Sequence, residues 1–438
     1  MKKQLHKQIT SWAGLLLLAA LLISCAKESS VVDTPEVKQP TQPTQSVQTP
    51  IALSAYTAKP TVAGTRADQE LLAEGGIPNG KSIGVFAYYH QGVGDTPGAW
   101  SASVKPDFMF NQKATNNAEE DGFSYSPLKY WPNTNQDKLS FFGYYPYTTT
   151  FSGSEDANGI VLTKGSDDTG LPAFELTVSD DVTKQVDFLI SALLTDLPNG
   201  TSAVSPSSAA DRDHLTIVDK VRLLFHHATS KVTIRIAVDD AIREDFMSMT
   251  ISNLQLTNIY RKGTVTPAYN TSTGTTTINM EGEPSDSLTY TIVKADPDPE
   301  KTINHIKDCC LMLPQTLALA YDPEDTEEDL EKKKLDLAKT AKINITYSVT
   351  LRSHGTVYTY DGAGNPVETD HYTYGNTVSL PLAKLSGSST EIDKWLPNHH
   401  YIYTIRLTAN RIEFTGEVVK WGEEVEWPDI VVDQIGGS

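Results

Sequence analysis

Past its first fifty residues, the chain alternates apolar and polar positions with period two, the spacing of strands that bury one face. Ile51, Leu53 and Ala55 alternate with Ala52, Ser54 and Tyr56. Ile83, Val85 and Ala87 share one face of a second run, and Phe108 to Asn111 reads as a third strand. Two aromatic strand segments between Phe123 and Tyr147 flank a loop over Pro132 to Asp137. Val186 to Ser191 holds the continuous apolar run Phe188-Leu189-Ile190, as a strand buried on both faces would. Val221, Leu223 and Phe225 alternate, as do Val232, Ile234 and Ile236, which predicts two strands paired around His226-His227. Tyr401, Tyr403, Ile405 and Leu407, then Ile412, Phe414 and Val418, close the series, with a further short strand expected over Ile430 to Val432. One helix is expected. Thr326 caps it, Glu327, Glu328 and Asp329 fill its first turn and Lys332, Lys333 and Lys334 follow, so the charges oppose the helix dipole. Its apolar set, Leu330, Leu335 and Leu337, suits a surface insertion.

These elements predict an all-β protein of two antiparallel β-sandwich domains with one short surface helix. The Pro, Ser, Asp and Gly-rich stretch from Asp196 to Asp213 places a boundary near residue 215. The expected domains are therefore 51–215 and 216–438. Ahead of them, residues 25–50 are polar, rich in Pro, Thr and Gln and without apolar period, and read as a tether.

Residues 1–24 have the layout of an export signal. Lys2, Lys3 and Lys7 precede an apolar run from Leu15 to Ile23, and Leu22-Ile23-Ser24 leads into Cys25. That run falls short of the length needed to span a bilayer. The expectation is a bacterial lipoprotein whose processed chain begins at Cys25, anchored by acyl groups on that residue.

Composition narrows the function classes. A formal charge of -19 argues against nucleic acid as a partner. Besides Cys25 the cysteines are the adjacent Cys309 and Cys310, which offer neither a disulfide framework nor a metal spacing. Gly75 to Ser82 matches the phosphate-loop pattern G-x-x-x-x-G-K-S. It precedes a strand instead of a helix, however, and Pro78-Asn79-Gly80 is turn chemistry, so nucleotide binding is not expected. His226-His227 and His399-His400 sit on strands, where neighbours face opposite ways; each pair should have one histidine at a core edge and one wet. The acidic clusters at 296–300 and 322–329 lack the spacing of a compact calcium cage. No catalytic motif emerges, and neither an enzyme nor a cofactor is expected. A different class remains open: a permanently lipid-anchored surface protein that binds glycans by stacking on Trp100, Trp131, Tyr144 and Tyr145.

Several stretches carry a resemblance. "IGVFAYY", "FMFNQ" and "SPLKYWPNTNQDKLSFFGYYPY" in the first half are followed by "VRLLFHHATSKVTIRI", "ISNLQLTNIYRKGTV", "LMLPQTL", "INITYSV" and "HHYIYTIRLTANRIEFTGEVVKW". In order and wording they resemble the fimbrillin family of Bacteroides-group bacteria, the FimA-like and Mfa-like pilins. The resemblance implies two transthyretin-like sandwiches and a structural or tip subunit of adhesive surface fimbriae. Such a subunit is exported to the outer membrane as a lipoprotein, with other fimbrial subunits and a host or glycan receptor as partners; in the alternative, one that keeps its lipid anchors the fimbria. It also implies proteolysis after an arginine beyond the first strand. Arg66-Ala67 fits, Arg66 being the only arginine before Arg212. Cleavage would discard Cys25 to Arg66 with the strand of Ile51, Leu53 and Ala55, leaving a groove for a strand of the next subunit.

Overall fold

In a computed structural model of the chain, the described residues are 49–57, 76–117, 122–151, 158–198, 220–238, 247–282, 287–294, 305–317, 326, 341–383, 392–407 and 412–420. Cys25, Arg66, Ala67, the boundary near 215, Ile430 to Val432 and the predicted helix, apart from Thr326, lie outside them.

Among the described residues the chain is all-β, its only helical piece a 3-10 turn at Val182–Lys184. The strands in the first half are β1 Leu53–Thr57, β2 Ser82–His90, β3 Met109–Asn117, β4 Gly122–Ser124, β5 Lys138–Tyr145, β6 Ile160–Leu162, β7 Phe174–Thr177, β8 Leu189–Ser191 and β9 Leu194–Leu197. After them come β10 Val221–His227, β11 Ser230–Val238, β12 Met247–Tyr260, β13 Lys262–Asn270, β14 Thr275–Gly282, β15 Ser287–Lys294 and β16 His305–Met312. The last are β17 Gln315–Thr316, β18 Lys342–Tyr360, β19 Pro366–Pro381, β20 Lys394–Trp395, β21 His399–Leu407 and β22 Ile412–Lys420.

The first sheet runs β2-β3-β4-β1-β10-β8-β5-β9, and β5 also pairs with β2. Seven strands therefore close on themselves, a barrel where a sandwich of two open sheets was expected. The reason lies in β2 and β5, which bury both faces. Ile83, Val85 and Ala87 of β2, with Leu139, Phe141 and Tyr145 of β5, fill the barrel interior. Phe86 and Tyr88, with Phe142 and Tyr144, form a second core outside it. That outer core is covered by the sheet β14-β13-β7-β6, through Phe174, Leu176, Ile160, Leu162 and Val265. A strand covered on both sides reads as unbroken apolar sequence, as "IGVFAYY" does.

In the second half, the sheets β16-β11-β21-β22 and β15-β12-β18-β19 enclose one core. Val232 and Ile234 of β11 and Tyr401, Tyr403 and Ile405 of β21 meet Leu254 and Leu256 of β12 and Ile343 and Ile345 of β18. This half has the sandwich arrangement. The strands flanking His226-His227 do not pair with each other. β10 joins β1 and β8 in the barrel, whereas β11 joins β16 and β21. The tight turn at Ala228-Thr229 thus hands the chain from one core to the other.

Candidate functional site

The first strand is the piece whose placement bears most on function. β1 lies parallel to β10 with Leu53 opposite Val221, Ala55 opposite Leu223 and Thr57 opposite Phe225. In this register the inward-facing residues of β1 stand beside Val221, Leu223 and Phe225, all of which are buried. Ile51 and Leu53 are each 1% exposed, and full burial of such side chains contributes about 1.5–3 kcal/mol apiece. Ala55 is only partly buried against the same core.

Its two edges are held unequally. Along β10 every residue of β1 is paired, and just ahead of it Val221 N donates to Ala52 O at 2.8 Å. On the other edge β1 pairs with β4 at one position, Leu53 with Phe123. Ahead of that pair the grip is irregular. Ile51 N donates to Lys129 O at 2.9 Å, Trp131 N to Thr49 O at 3.0 Å and the Tyr125 hydroxyl to Ile51 O at 2.7 Å. Beyond it, Gly76 lies against β1. Gly76 has φ +116°, and a Cβ there would come within 3.1 Å of Ala55 O, so only glycine fits without displacement. Ile77 then enters the core beside Ile51 and Leu53, its carbonyl taking a hydrogen bond of 2.5 Å from Asn116 Nδ2. On the outside, the Arg222 guanidinium sits 5.0 Å from the centre of the Tyr56 ring. β1 is thus the first strand among the described residues and the member of the barrel whose loss would part β10 from β4.

The other expected sites resolve differently. Tyr144 and Tyr145 are interior residues, 0% and 2% exposed, and offer no surface to a sugar. The Tyr144 hydroxyl donates to Asn111 Oδ1 at 2.7 Å and accepts from Thr148 N at 3.1 Å. Trp100 stands edge-on to Tyr88 and Tyr269, and Trp131 to Phe141, so both are engaged in packing. Among the described residues the exposed aromatics gather instead on β18 and β19, at Tyr358, Tyr360, Tyr372 and Tyr374, with Tyr130 and Phe151 exposed elsewhere.

Each histidine pair divides into an inner and an outer member. His227 is buried, with Nδ1 2.7 Å from Asp187 Oδ2, while His226 is half-buried. His400 is buried with Nε2 2.8 Å from Thr233 Oγ1, while His399 is half-buried with Nδ1 2.7 Å from Pro397 O. Burial, reinforced by the charges of Lys231 and Arg235, pushes the His400 pKa down to about 3. Among the described residues no group of three or more His, Cys, Asp or Glu is placed to hold a metal. The phosphate-loop lookalike is a turn: Lys81 N donates to Pro78 O at 3.1 Å and β2 begins at Ser82.

Alternation in the sequence located β1 but gave neither its parallel partner nor the contribution of Gly76, whose only signal was a Gly-Gly pair at a loop end.

Comparison with known proteins supplies the context. A fimbrillin-like family profile matches residues 65–421. No curated protein matches. Among solved structures, a fimbrial protein from Bacteroides vulgatus is 16% identical, with 85% of this chain and 99% of that one covered at a TM-score of 0.48. A fimbrilin from Porphyromonas gingivalis is 9% identical, with 86% and 99% covered at 0.36. The tip fimbrial protein Mfa3 from the same organism, truncated at its C-terminus, is 8% identical, with 78% and 95% covered at 0.32.

Proposed function

Because the chain belongs to the fimbrillin-like family, we propose that it is a structural or tip subunit of a cell-surface fimbria that joins its neighbours by strand exchange. In this reading the protein is exported as a lipoprotein through Cys25 and held at the outer membrane. Cleavage between Arg66 and Ala67 then separates β1 from the rest of the barrel. β1 leaves and a strand of the adjoining subunit takes its place between β10 and β4. The assembled fimbria serves adhesion, with other subunits as its first partners. The division into two domains belongs to this proposal, with β10 going to the first because it pairs with β1 and β8.

The observation that supports it is the seat of β1. A strand paired along one edge, joined to β4 at one position on the other, and separated in the sequence from Gly76 by residues 58–75 can be severed there without cutting any other described strand. In the sequence, Arg66 falls midway between Thr57 and Gly76. An unfilled seat exposes β10 and the rim of an apolar core, and such edges pair with other chains.

The test is assembly after trimming. An Arg212→Lys background lets cleavage at Arg66 be read apart from the next arginine. Treatment with an arginine-specific protease should convert monomers into strand-linked oligomers, alone or with sibling pilins, that survive mild detergent. An Arg66→Ala chain should stay monomeric. Trimmed protein that remains monomeric in every combination would rule the reading out.

A further inference from the structure

The inward face of β1 declines in quality along its length. Ile51 and Leu53 are large, apolar and buried, but the next two inward positions are Ala55 and Thr57. The facing residues of β10 show no such decline: Val221, Leu223 and Phe225 are all core. Thr57 is 6% exposed, and its Oγ1 is buried without a hydrogen-bond partner. A buried hydroxyl that has lost water and gained no partner works against the element that carries it. Nothing in the backbone explains its presence, because a β-branched apolar residue would suit the same extended conformation.

We propose that β1 is an under-filling placeholder, and that the strand meant to succeed it carries apolar residues at all four inward positions, including a branched aliphatic one where Thr57 now lies. This rests on the strand-exchange reading and adds to it a direction. Exchange runs forward because the incoming strand of a second subunit removes an orphaned hydroxyl and fills the Leu223–Phe225 end of the seat. The Ile51–Leu53 end holds β1 well enough to close the barrel while the subunit is intact. The weak end is also the end nearer Arg66 in the sequence, so release after cleavage starts there. Specificity follows from the same geometry. Gly76 lies against Ala55 O, so the incoming backbone must keep to the register of β1, and its side chains are selected position by position.

The experiment uses the full chain in the Arg212→Lys background, cleaved at Arg66, with release of the β1 fragment followed by mass under excess synthetic peptide of residues 49–58. Thr57→Val, which removes the hydroxyl at nearly constant volume, should slow release about tenfold, and a peptide carrying the same change should displace native β1 about tenfold more effectively. Thr57→Ser keeps the hydroxyl and should release at least as fast as the native chain. Circular dichroism of each uncut chain establishes that the barrel is intact before cleavage. Equal or faster release from Thr57→Val would overturn the placeholder proposal while leaving strand exchange standing. A native fragment that never leaves, even under excess peptide, would overturn both.

Discussion

His400 sits on β21 with its ring against Thr233 and with Lys231 and Arg235 near it. Its ordinary pKa of 6.5 falls to about 3 because burial and the two cations disfavour the imidazolium. The unfolded chain therefore binds a proton that the folded chain refuses, over the whole interval between those values. Stability is complete above about pH 6.5 and is lost as pH falls toward 3, by a few kcal/mol in all. Denaturant melts between pH 7 and 4 should show that decline, and His400→Gln should flatten part of it. At the same scale, the sequence told which histidine positions were adjacent on a strand but not which face was wet. Facing is fixed by residues more than 160 positions away, as Thr233 is from His400. Tyr144 and Tyr145 make the same point. The sequence showed an aromatic pair; that both sides of β5 are covered depends on β6, β7, β13 and β14 folding over the barrel.

At the scale of elements, period-two alternation was a sound guide to where strands lie and a poor one to what they pair with. Val221, Leu223 and Phe225 correctly mark β10, yet its partners are β8 and the parallel β1, the latter 168 residues earlier in the chain. Alternation records burial of one face and carries no information about the edge. The ribbon formed by β18 and β19 shows the limit in the other direction. Up to Leu351, β18 lies between β12 and β19; past it, pairing is with β19 alone. Val357 to Tyr360 are accordingly half-buried or exposed, with Tyr358 and Tyr360 at 58% and 73%. A two-stranded ribbon in water is marginal on its own. Hydrogen exchange should therefore be at least tenfold faster for the amides of Val357 to Tyr360 than for those of Ile343 to Val349 in the same strand. Equal protection would mean that the outer ribbon is covered in solution.

At the scale of the molecule, β1 completes the seven-strand ring, so that neither β10 nor β4 presents an open edge within it. The formal charge of -19 adds mutual repulsion between copies. Under the proposed strand exchange, assembly needs an event that opens the ring, and β1 is the member of the ring lying ahead of Arg66. The sandwich half, in which every described strand follows residue 230, is untouched by that event. The measurement that bears most directly on this account is intact mass of the protein from sheared fimbriae, beside protein extracted from the outer membrane. The account predicts an N-terminus at Ala67 in the fimbrial fraction and an acylated Cys25 in the membrane fraction. Fimbrial protein that still carries Cys25 and β1 in every molecule would contradict it.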